Sequence, residues 1–351
     1  MATETARGAT TGTGRAIRFL HTGDWQLGMT RAFLDEEAAP RFAQARIDAI
    51  TRLGELARQH GAAFIIVAGD VFESNRVAET TVKRAADALA ASPVPVYLLP
   101  GNHDPLDTAS LFHSAQLAAA GDHVRVIRDG TPLSVPGMAG IEVVGAPWTS
   151  KRPTEDLCAR MLAALPPGGS TTRVAVCHGA VNTLAPDITQ PGIIDLAAAE
   201  AALVDGRIDY LALGDRHSTT AVGDSGRIWY SGAPVATAFD EVDPNNALLV
   251  ELHPGGPCEV EVLPVGNWHF IAERRELDGP EDLARLESWL GALPDKACSI
   301  VKLYLSGAIG LATASRLDAM LEREAPRFAS LRRRTRGAEL VVAPDLSLIH
   351  I

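Results

Sequence analysis

The segment AAFIIVAGD (62–70) is a continuous apolar run that ends in glycine and aspartate. An apolar run without alternation predicts a strand that is buried on both faces, as in a parallel sheet. The preceding segment 39–61 carries apolar residues at helical spacing, and the segment 78–92 after it is also helical in pattern. A buried strand between two helices predicts an α/β fold.

Four other segments repeat this pattern, each an apolar strand that ends in turn and polar residues: AIRFLHTGD (16–24), VPVYLLPGNHD (94–104), TRVAVCHGA (172–180) and IDYLALGDRH (208–217). Shorter alternating runs predict antiparallel strands: GIEVVGAPW (140–148), RIWYSGAP (227–234), NALLVEL (246–252) and EVEVLPV (259–265). We therefore expect an α/β fold whose mixed β-sheets are flanked by helices.

A second pattern begins near Val265 and predicts a small βαβαβ unit. The expected organisation is a first domain over 16–265 and a C-terminal α/β domain over 266–345. Residues 1–15 are small and polar, which predicts a disordered leader. The last six residues, LSLIHI (346–351), are what a transposon end used in sequencing adapters would encode, so we expect a non-native tail there. In that case the natural chain continues past residue 345; a genuine final strand is the alternative.

Composition excludes some classes of protein. The chain has 351 residues and a net charge of −11, so it does not coat nucleic acid by bulk charge, although bound cations can reverse the sign at a site. Its four cysteines form no C-x-x-C pair, which argues against a disulfide framework and favours a reducing cytoplasm. No apolar run has membrane-spanning length, so no membrane association is expected.

The five strands end in side chains that can bind metal ions. The candidates are Asp24 and Gln26, Asp70, the Asn102–His103–Asp104 run, His178, and Asp215 with His217. A lone aspartate after a strand is usually a turn or cap residue. Sites in open α/β sheets lie beyond the carboxyl ends of the strands, so five such ends can surround two metals that share a carboxylate.

The order of these motifs resembles that of the calcineurin-like metallophosphoesterases: D-x-H, then GD, GNHD, H and GHxH. The resemblance covers roughly residues 17–235. Within that superfamily, FLHTGDWQLG, GDVFES, and YLALGDRH leading to WYSGAP are similar to the SbcD/Mre-type DNA repair nucleases. A small α/β capping domain after the phosphoesterase core also fits that family.

The resemblance implies a role for each position. Asp24 and His217 would bind one metal, Asn102 and His178 the other, and Asp70 would bridge them. His103 would protonate the leaving oxygen or stabilise charge on the phosphate, with Asp104 beside it as the second catalytic residue.

Three positions depart from the family pattern. Gln26 stands where the first motif has histidine, Asp215 where the last motif has its first histidine, and Glu73 where some members have a second catalytic histidine. Gln26 and Asp215 remain candidate ligands, with Gln26 the weaker one. An oxygen-rich set favours Mn²⁺, or alternatively Mg²⁺, over Zn²⁺.

The resulting hypothesis is a two-metal DNA exonuclease, the nuclease subunit of an SbcCD-like repair complex. The resemblance implies DNA, a coiled-coil SbcC-like ATPase and a second copy of the chain as partners. Two alternatives stay open: a phosphoesterase for small nucleotides or other phosphoesters, and a catalytically weak scaffold for the ATPase. The basic run LRRRTRG (331–337) is either a solvated turn or a contact to the DNA backbone.

Overall fold

The computed structural model describes residues 16–185, 187, 189–190, 192–336 and 339–343. The expected leader (1–15) and non-native tail (346–351) lie outside these residues. Across the described ranges, we find no helix with the length and apolar character needed to cross a membrane.

The chain divides into two compact units. The first contains the residues up to Met29, Arg46–Pro234 and Val242–Val265. The second contains Thr30–Ala45, Val235–Glu241 and the chain from Gly266 onward. The second unit therefore includes two segments that precede residue 265. The functional division into a nuclease domain and a capping domain stays a prediction.

Within the part of the chain that the structure describes, twelve strands and five helices precede residue 265. The strands are β1 (Ile17–Thr22), β2 (Ile65–Val67), β3 (Val96–Leu98), β4 (Val124–Val126), β5 (Leu133–Ser134), β6 (Ile141–Gly145), β7 (Thr172–His178), β8 (Tyr210–Gly214), β9 (Thr220–Val222), β10 (Ile228–Tyr230), β11 (Asn246–Leu252) and β12 (Cys258–Pro264). The helices are α1 (Ala38–His60), α2 (Glu79–Ala90), α3 (Ala115–Ala118), α4 (Leu157–Ala164) and α5 (Leu196–Val204). Helix α1 ends at Gly61, which adopts a left-handed φ of 65°.

These strands form two six-stranded sheets. The first has the order β12-β11-β1-β2-β3-β4, and the second has the order β5-β6-β7-β8-β10-β9. In the first sheet β1 to β4 are parallel, and β11 runs antiparallel to β1 and β12. The expected α/β class with mixed, helix-flanked sheets is confirmed.

Three apolar cores hold the first unit together. One lies between the two sheets and includes Phe19, Phe64 and Tyr210. A second packs α1 and α2 on the outer face of the first sheet, and a third packs α4 and α5 on the outer face of the second sheet. Because the parallel strands are covered on both faces, they are continuously apolar rather than alternating.

Two of the runs expected to be antiparallel are partly parallel. β6 is antiparallel to β5 but parallel to β7, and β10 is antiparallel to β9 but parallel to β8. For β6 the reason is the connection: α4 crosses over between β6 and β7 and returns the chain in the same direction.

The second unit is a four-stranded parallel sheet with helices on one face. Its elements after Gly266 are β13 (His269–Glu276), α6 (Pro280–Ala292), β14 (Ser299–Gly310), α7 (Leu311–Glu324), β15 (Ser330–Arg334) and β16 (Leu340–Ala343). β13 pairs with one edge of β14, and β15 and β16 pair with β14 at successive positions along its length. Val301, Leu303 and Leu305 of β14 pack against α6 and α7.

Candidate metal centre

The predicted site residues follow β1, β2 and β3 of the first sheet and β7 and β8 of the second. Asp24, Asp70 and His178 come from three of these strand ends, and all three are buried. Each offers a ligand atom within 4.8 Å of the others. The fold thus brings together side chains that are more than 100 positions apart in sequence.

His178 faces several oxygen atoms through one ring nitrogen. Its Nδ1 lies 2.9 Å from the Ala68 carbonyl oxygen, which can only accept, so Nδ1 carries the proton and donates. Its Nε2 lies 3.0 Å from Oδ1 of Asn102, 3.4 Å from Oδ1 of Asp70 and 3.8 Å from Oδ1 of Asp215. A histidine held in this tautomer presents an unprotonated Nε2 for coordination.

A second group of donors surrounds Asp24. Its two carboxylate oxygens accept from the backbone N–H of Asp215 at 3.0 and 3.1 Å. Nε2 of His217 lies 3.8 Å from Oδ1 of Asp24, and Nε2 of Gln26 lies 3.2 Å from Nε2 of His217. The amide oxygen Oε1 of Gln26 is buried and has no hydrogen-bond partner among the described residues.

The charges of the centre are strongly perturbed. Burial raises the pKa of Asp24 to about 6, against the opposing effect of His217 and His178. Burial would also raise the pKa of Asp70, but His178 and His103 outweigh it and lower that pKa. Burial disfavours the charged form of His178, yet Asp70, Asp24 and Asp215 raise its pKa well above the usual value.

These residues fit divalent cations. Buried carboxylates are costly unless they are paired or coordinate a metal. The carboxylates that attract a proton to His178 would equally attract a cation, and the unpartnered Oε1 of Gln26 is an oxygen donor in the same cluster. Carboxylate, amide and imidazole groups are ligands for Mg²⁺, Mn²⁺ and related metals. The first unit therefore contains a candidate metal site.

The GNHD loop approaches the centre from β3. The His103 backbone N–H donates to Oδ1 of Asp70 at 3.0 Å, and Nδ1 of His103 donates to the Glu73 carbonyl at 3.0 Å. Both carboxylate oxygens of Asp104 accept from backbone amides, those of Phe72 and Gly101, each at 2.8 Å. The geometry thus supports a loop-positioning role for Asp104 in place of the expected contact with the His103 side chain.

Asp104 also carries a strongly shifted pKa. Its burial, followed by the repulsion from Asp70, raises the pKa to about 7 against the two amide hydrogen bonds. Glu73, at the third departure from the family pattern, contributes its carbonyl to His103. Its Oε2 is buried without a hydrogen-bond partner among the described residues.

Two glycines allow the strand ends to approach closely. Gly69 has a left-handed φ of 93°, and a Cβ atom there would overlap the His178 ring. A Cβ atom on Gly214 would overlap the Ala68 carbonyl. Glycine is required at both positions because the backbone of one strand end touches the side chain or backbone of another.

Two supporting residues were missed by the sequence analysis. Nε1 of Trp148 donates to the His178 carbonyl at 2.7 Å, and its ring meets the His178 ring edge-on at 6.3 Å between centroids. The Tyr230 hydroxyl donates to the Gly179 carbonyl at 2.8 Å and accepts from Val181 N–H at 2.9 Å. Only WYSGAP, quoted for the family resemblance, pointed to Tyr230, and it gave no role.

Comparisons with known proteins find relatives among nuclease subunits. The SbcD subunit of nuclease SbcCD from Escherichia coli (strain K12) is 28% identical over 311 residues, covering 78% of this chain and 74% of the relative. Its counterpart from Rhodobacter capsulatus is 26% identical over 324 residues, covering 80% and 77%. The solved structure of TT1561 of Thermus thermophilus overlays with a TM-score of 0.45 and 12% identity, covering 72% of this chain and all of that one.

Residues 17–219 match the calcineurin-like phosphoesterase family, which is more than half of the chain. All seven predicted ligands lie inside that range. The chain is therefore a member of the calcineurin-like phosphoesterase family, a hydrolase of phosphoester bonds.

Proposed function

We propose that this protein is a metal-dependent DNA nuclease, the nuclease subunit of an SbcCD-like complex. The observation that carries the proposal is the convergence of Asp24, Asp70 and His178 at one point, with further predicted ligands around them. The named relatives, which both belong to an SbcCD nuclease, support the choice of DNA within the family.

We assign two ligand sets to the centre. Asp24, Gln26 and His217 form one, and Asn102, His178 and Asp215 form the other. Asp70 bridges the two sets, because a carboxylate can donate to two cations at once. Two divalent ions bound there would activate a water molecule and stabilise charge on the phosphate during in-line displacement.

His103 is the proton-transferring residue in this proposal. Its Nδ1 proton is held by the Glu73 carbonyl, which leaves Nε2 as the ring atom for exchange with a substrate oxygen. Its backbone is held by Asp70, so the ring is fixed relative to the bridging ligand. Asp104 keeps the loop in place through the Phe72 and Gly101 amides.

The second unit supports a nucleic-acid substrate. Residues alternate between the faces of a strand, so the residues of β14 next to those that pack on α6 and α7 point to the helix-free face. That face carries a set of cations and aromatic rings that we call the basic face: Arg31, Phe239, Arg274, Lys302, Tyr304, Arg332 and Arg334.

Contacts show that the basic face is contiguous. Arg274 lies over the Tyr304 ring at 4.5 Å, and the Lys302 Nζ lies 3.5 Å from the centre of the Phe239 ring. Burial, then Arg334 and Arg31, lower the pKa of Lys302. Such a concentration of cations in a chain of net charge −11 fits contacts to a phosphate backbone. It favours the DNA alternative for the run at 331–337.

The decisive assay measures hydrolysis of defined DNA ends and of cyclic and linear nucleotides, with Mn²⁺, Mg²⁺ or a chelator. We expect DNA hydrolysis with Mn²⁺ and none with chelator. Asp70→Ala should lower turnover more than about 100-fold, since it removes the shared ligand. Hydrolysis of nucleotides alone would favour the small-substrate alternative, and metal-free, inactive protein would favour the scaffold.

The departures Gln26 and Asp215 predict Mn²⁺ dependence, poor support by Zn²⁺ and unequal affinities of the two sites. Asp215 adds a hard oxygen donor, whereas Gln26 is a weaker ligand than imidazole. Calorimetric titration of the wild-type protein and of the Gln26→His/Asp215→His variant tests this. The variant should bind Zn²⁺ more tightly, and unchanged Zn²⁺ affinity would remove both residues from the ligand set.

The partners follow from the same relationship. We propose a coiled-coil SbcC-like ATPase and a second copy of this chain as partners, with cytoplasmic location. The SbcCD name shared by the relatives supports the ATPase-containing complex. Size-exclusion chromatography with light scattering tests the dimer, and co-purification with the SbcC-like protein of the same genome tests the complex.

A further inference from the structure

A polar bridge crosses the apolar layer between the two sheets of the first unit. His21 lies on β1 in the first sheet, and Tyr210 and Leu213 lie on β8 in the second. Nδ1 of His21 is 3.1 Å from the Tyr210 hydroxyl, and Nε2 is 3.1 Å from the Leu213 carbonyl oxygen. All three residues are fully buried.

The chemistry of the partners fixes the protonation of the bridge. A carbonyl oxygen only accepts, so Nε2 of His21 carries the proton and donates to Leu213. Nδ1 then accepts from the Tyr210 hydroxyl. Burial lowers the pKa of His21 to about 3, so the imidazole is neutral at ordinary pH. The buried polar atoms of the bridge are therefore paired without a net charge, as an apolar core requires.

The bridge lies next to the candidate metal centre on both strands. His21 precedes Asp24 by three positions, and Leu213 precedes Asp215 by two and His217 by four. Beyond the bridge, Asp215 N–H donates to both oxygens of Asp24. The two sheets are thus tied by directional bonds at two successive levels, just before and within the proposed ligands.

We propose that His21 is a positioning residue that sets the distance between Asp24 and the Asp215–His217 pair, and thereby the metal affinity of the centre. The proposal rests on the metal site described above. An apolar side chain would fill the same space, but dispersion contacts have no preferred direction, whereas a hydrogen bond fixes distance and angle.

The test compares three variants by Mn²⁺ calorimetry and by urea unfolding with chelator present. His21→Leu removes both bonds, His21→Gln keeps an N–H donor, and Tyr210→Phe removes only the hydroxyl. We expect His21→Leu to weaken Mn²⁺ binding about tenfold, as loss of a supporting partner does. His21→Gln and Tyr210→Phe should stay within about threefold of wild type, although Tyr210→Phe also loses a buried hydrogen bond.

Each other outcome overturns the proposal. A His21→Leu protein that unfolds more easily yet binds Mn²⁺ like wild type would show that His21 only packs. Equal losses in His21→Leu and Tyr210→Phe would show that the Leu213 bond has no special part. If wild-type protein binds no Mn²⁺, the metal site itself is wrong and this inference falls with it.

A measurement on the wild-type protein covers the case in which His21→Leu does not fold. In protein labelled with ¹⁵N-histidine, His21 should show an exchange-protected Nε2–H resonance that shifts when Mg²⁺ saturates the site. An Nδ1–H tautomer, or a resonance unchanged at saturation, overturns the proposal.

Discussion

Four of the proposed ligands hold a backbone conformation that non-glycine residues seldom adopt. The φ angles are 53° for Asp24, 44° for Gln26, 51° for Asp70 and 96° for Asp215. Each such residue costs on the order of 1–3 kcal/mol and persists only when its surroundings hold it. Backbone bonds do so here, from Asp24 N–H to the Gly69 carbonyl and from Gln26 N–H to the Asp70 carbonyl. This concentration of strain at one point supports its assignment as the functional site.

Gly69→Ala should destabilise the protein and abolish tight Mn²⁺ binding. The new Cβ would both strain a left-handed backbone and overlap the His178 ring. Gly61→Ala is the matched control, because Gly61 is also left-handed but has open space around it. The control should cost about 1 kcal/mol and keep Mn²⁺ binding. Urea unfolding and calorimetry measure both effects; similar behaviour of the two variants would contradict the close packing of Gly69 on His178.

His103→Ala should retain metal and lose about 10²–10⁴-fold in turnover, the usual contribution of a general acid or base. The reason is that the side chain of His103 is assigned to proton transfer, while its backbone holds Asp70. His113→Ala, in an exposed contact with Arg128, is the control and should retain activity. Metal analysis beside the kinetic assay decides, and loss of metal from His103→Ala would show that His103 is itself a ligand.

At the scale of elements, the loops after the strands are held by one another. Asp104 in the GNHD loop accepts from Phe72 in the loop after β2 and from Gly101 in its own loop. Trp148 and Tyr230 hold the loop after β7 from two other segments. The centre is therefore preorganised by bonds between loops, which reduces the ordering that ligand binding must cause.

Asp104→Ala should lower the free energy of unfolding by about 1–3 kcal/mol for each buried amide left without an acceptor. Asp107→Ala is the control, because Asp107 caps the exposed backbone of Ala109 and should cost less than about 1 kcal/mol. Urea unfolding in chelator measures the difference independently of metal. Equal stability of the two variants would remove Asp104 from its positioning role.

At the scale of the whole molecule, charge is unevenly distributed. The chain has a net charge of −11, yet the basic face of the second unit concentrates arginine and lysine beside aromatic rings. Cations that contact phosphates release counterions, so their contribution to DNA binding falls as salt rises.

Arg334→Ala should therefore weaken DNA binding severalfold at low salt and reduce the slope of log affinity against log salt by about one. Arg316→Ala is the matched control, since Arg316 is an exposed arginine of α7 in the same unit but on the helical side of the sheet. Fluorescence anisotropy over a range of salt concentrations tests both. Equal slopes for the two variants would exclude the basic face from DNA binding.

The sequence by itself determined the fold class, the strands that end in donor residues and the family. These are local properties: apolar runs report burial on both faces, and turn residues with carboxylate or imidazole groups mark where each strand stops. The five strand ends were therefore readable one by one, and their order carried the resemblance.

Only the tertiary structure decided which strands are neighbours and what each side chain contacts. The parallel pairing of β6 with β7, the inclusion of Thr30–Ala45 in the second unit, and the hold of Trp148 on His178 all depend on the path of the chain. The same is true of Asp104, whose sequence neighbour His103 is not the partner of its carboxylate. The physical reason is that such contacts join residues far apart in sequence, and their geometry is set by the packing of two sheets, which no local pattern encodes.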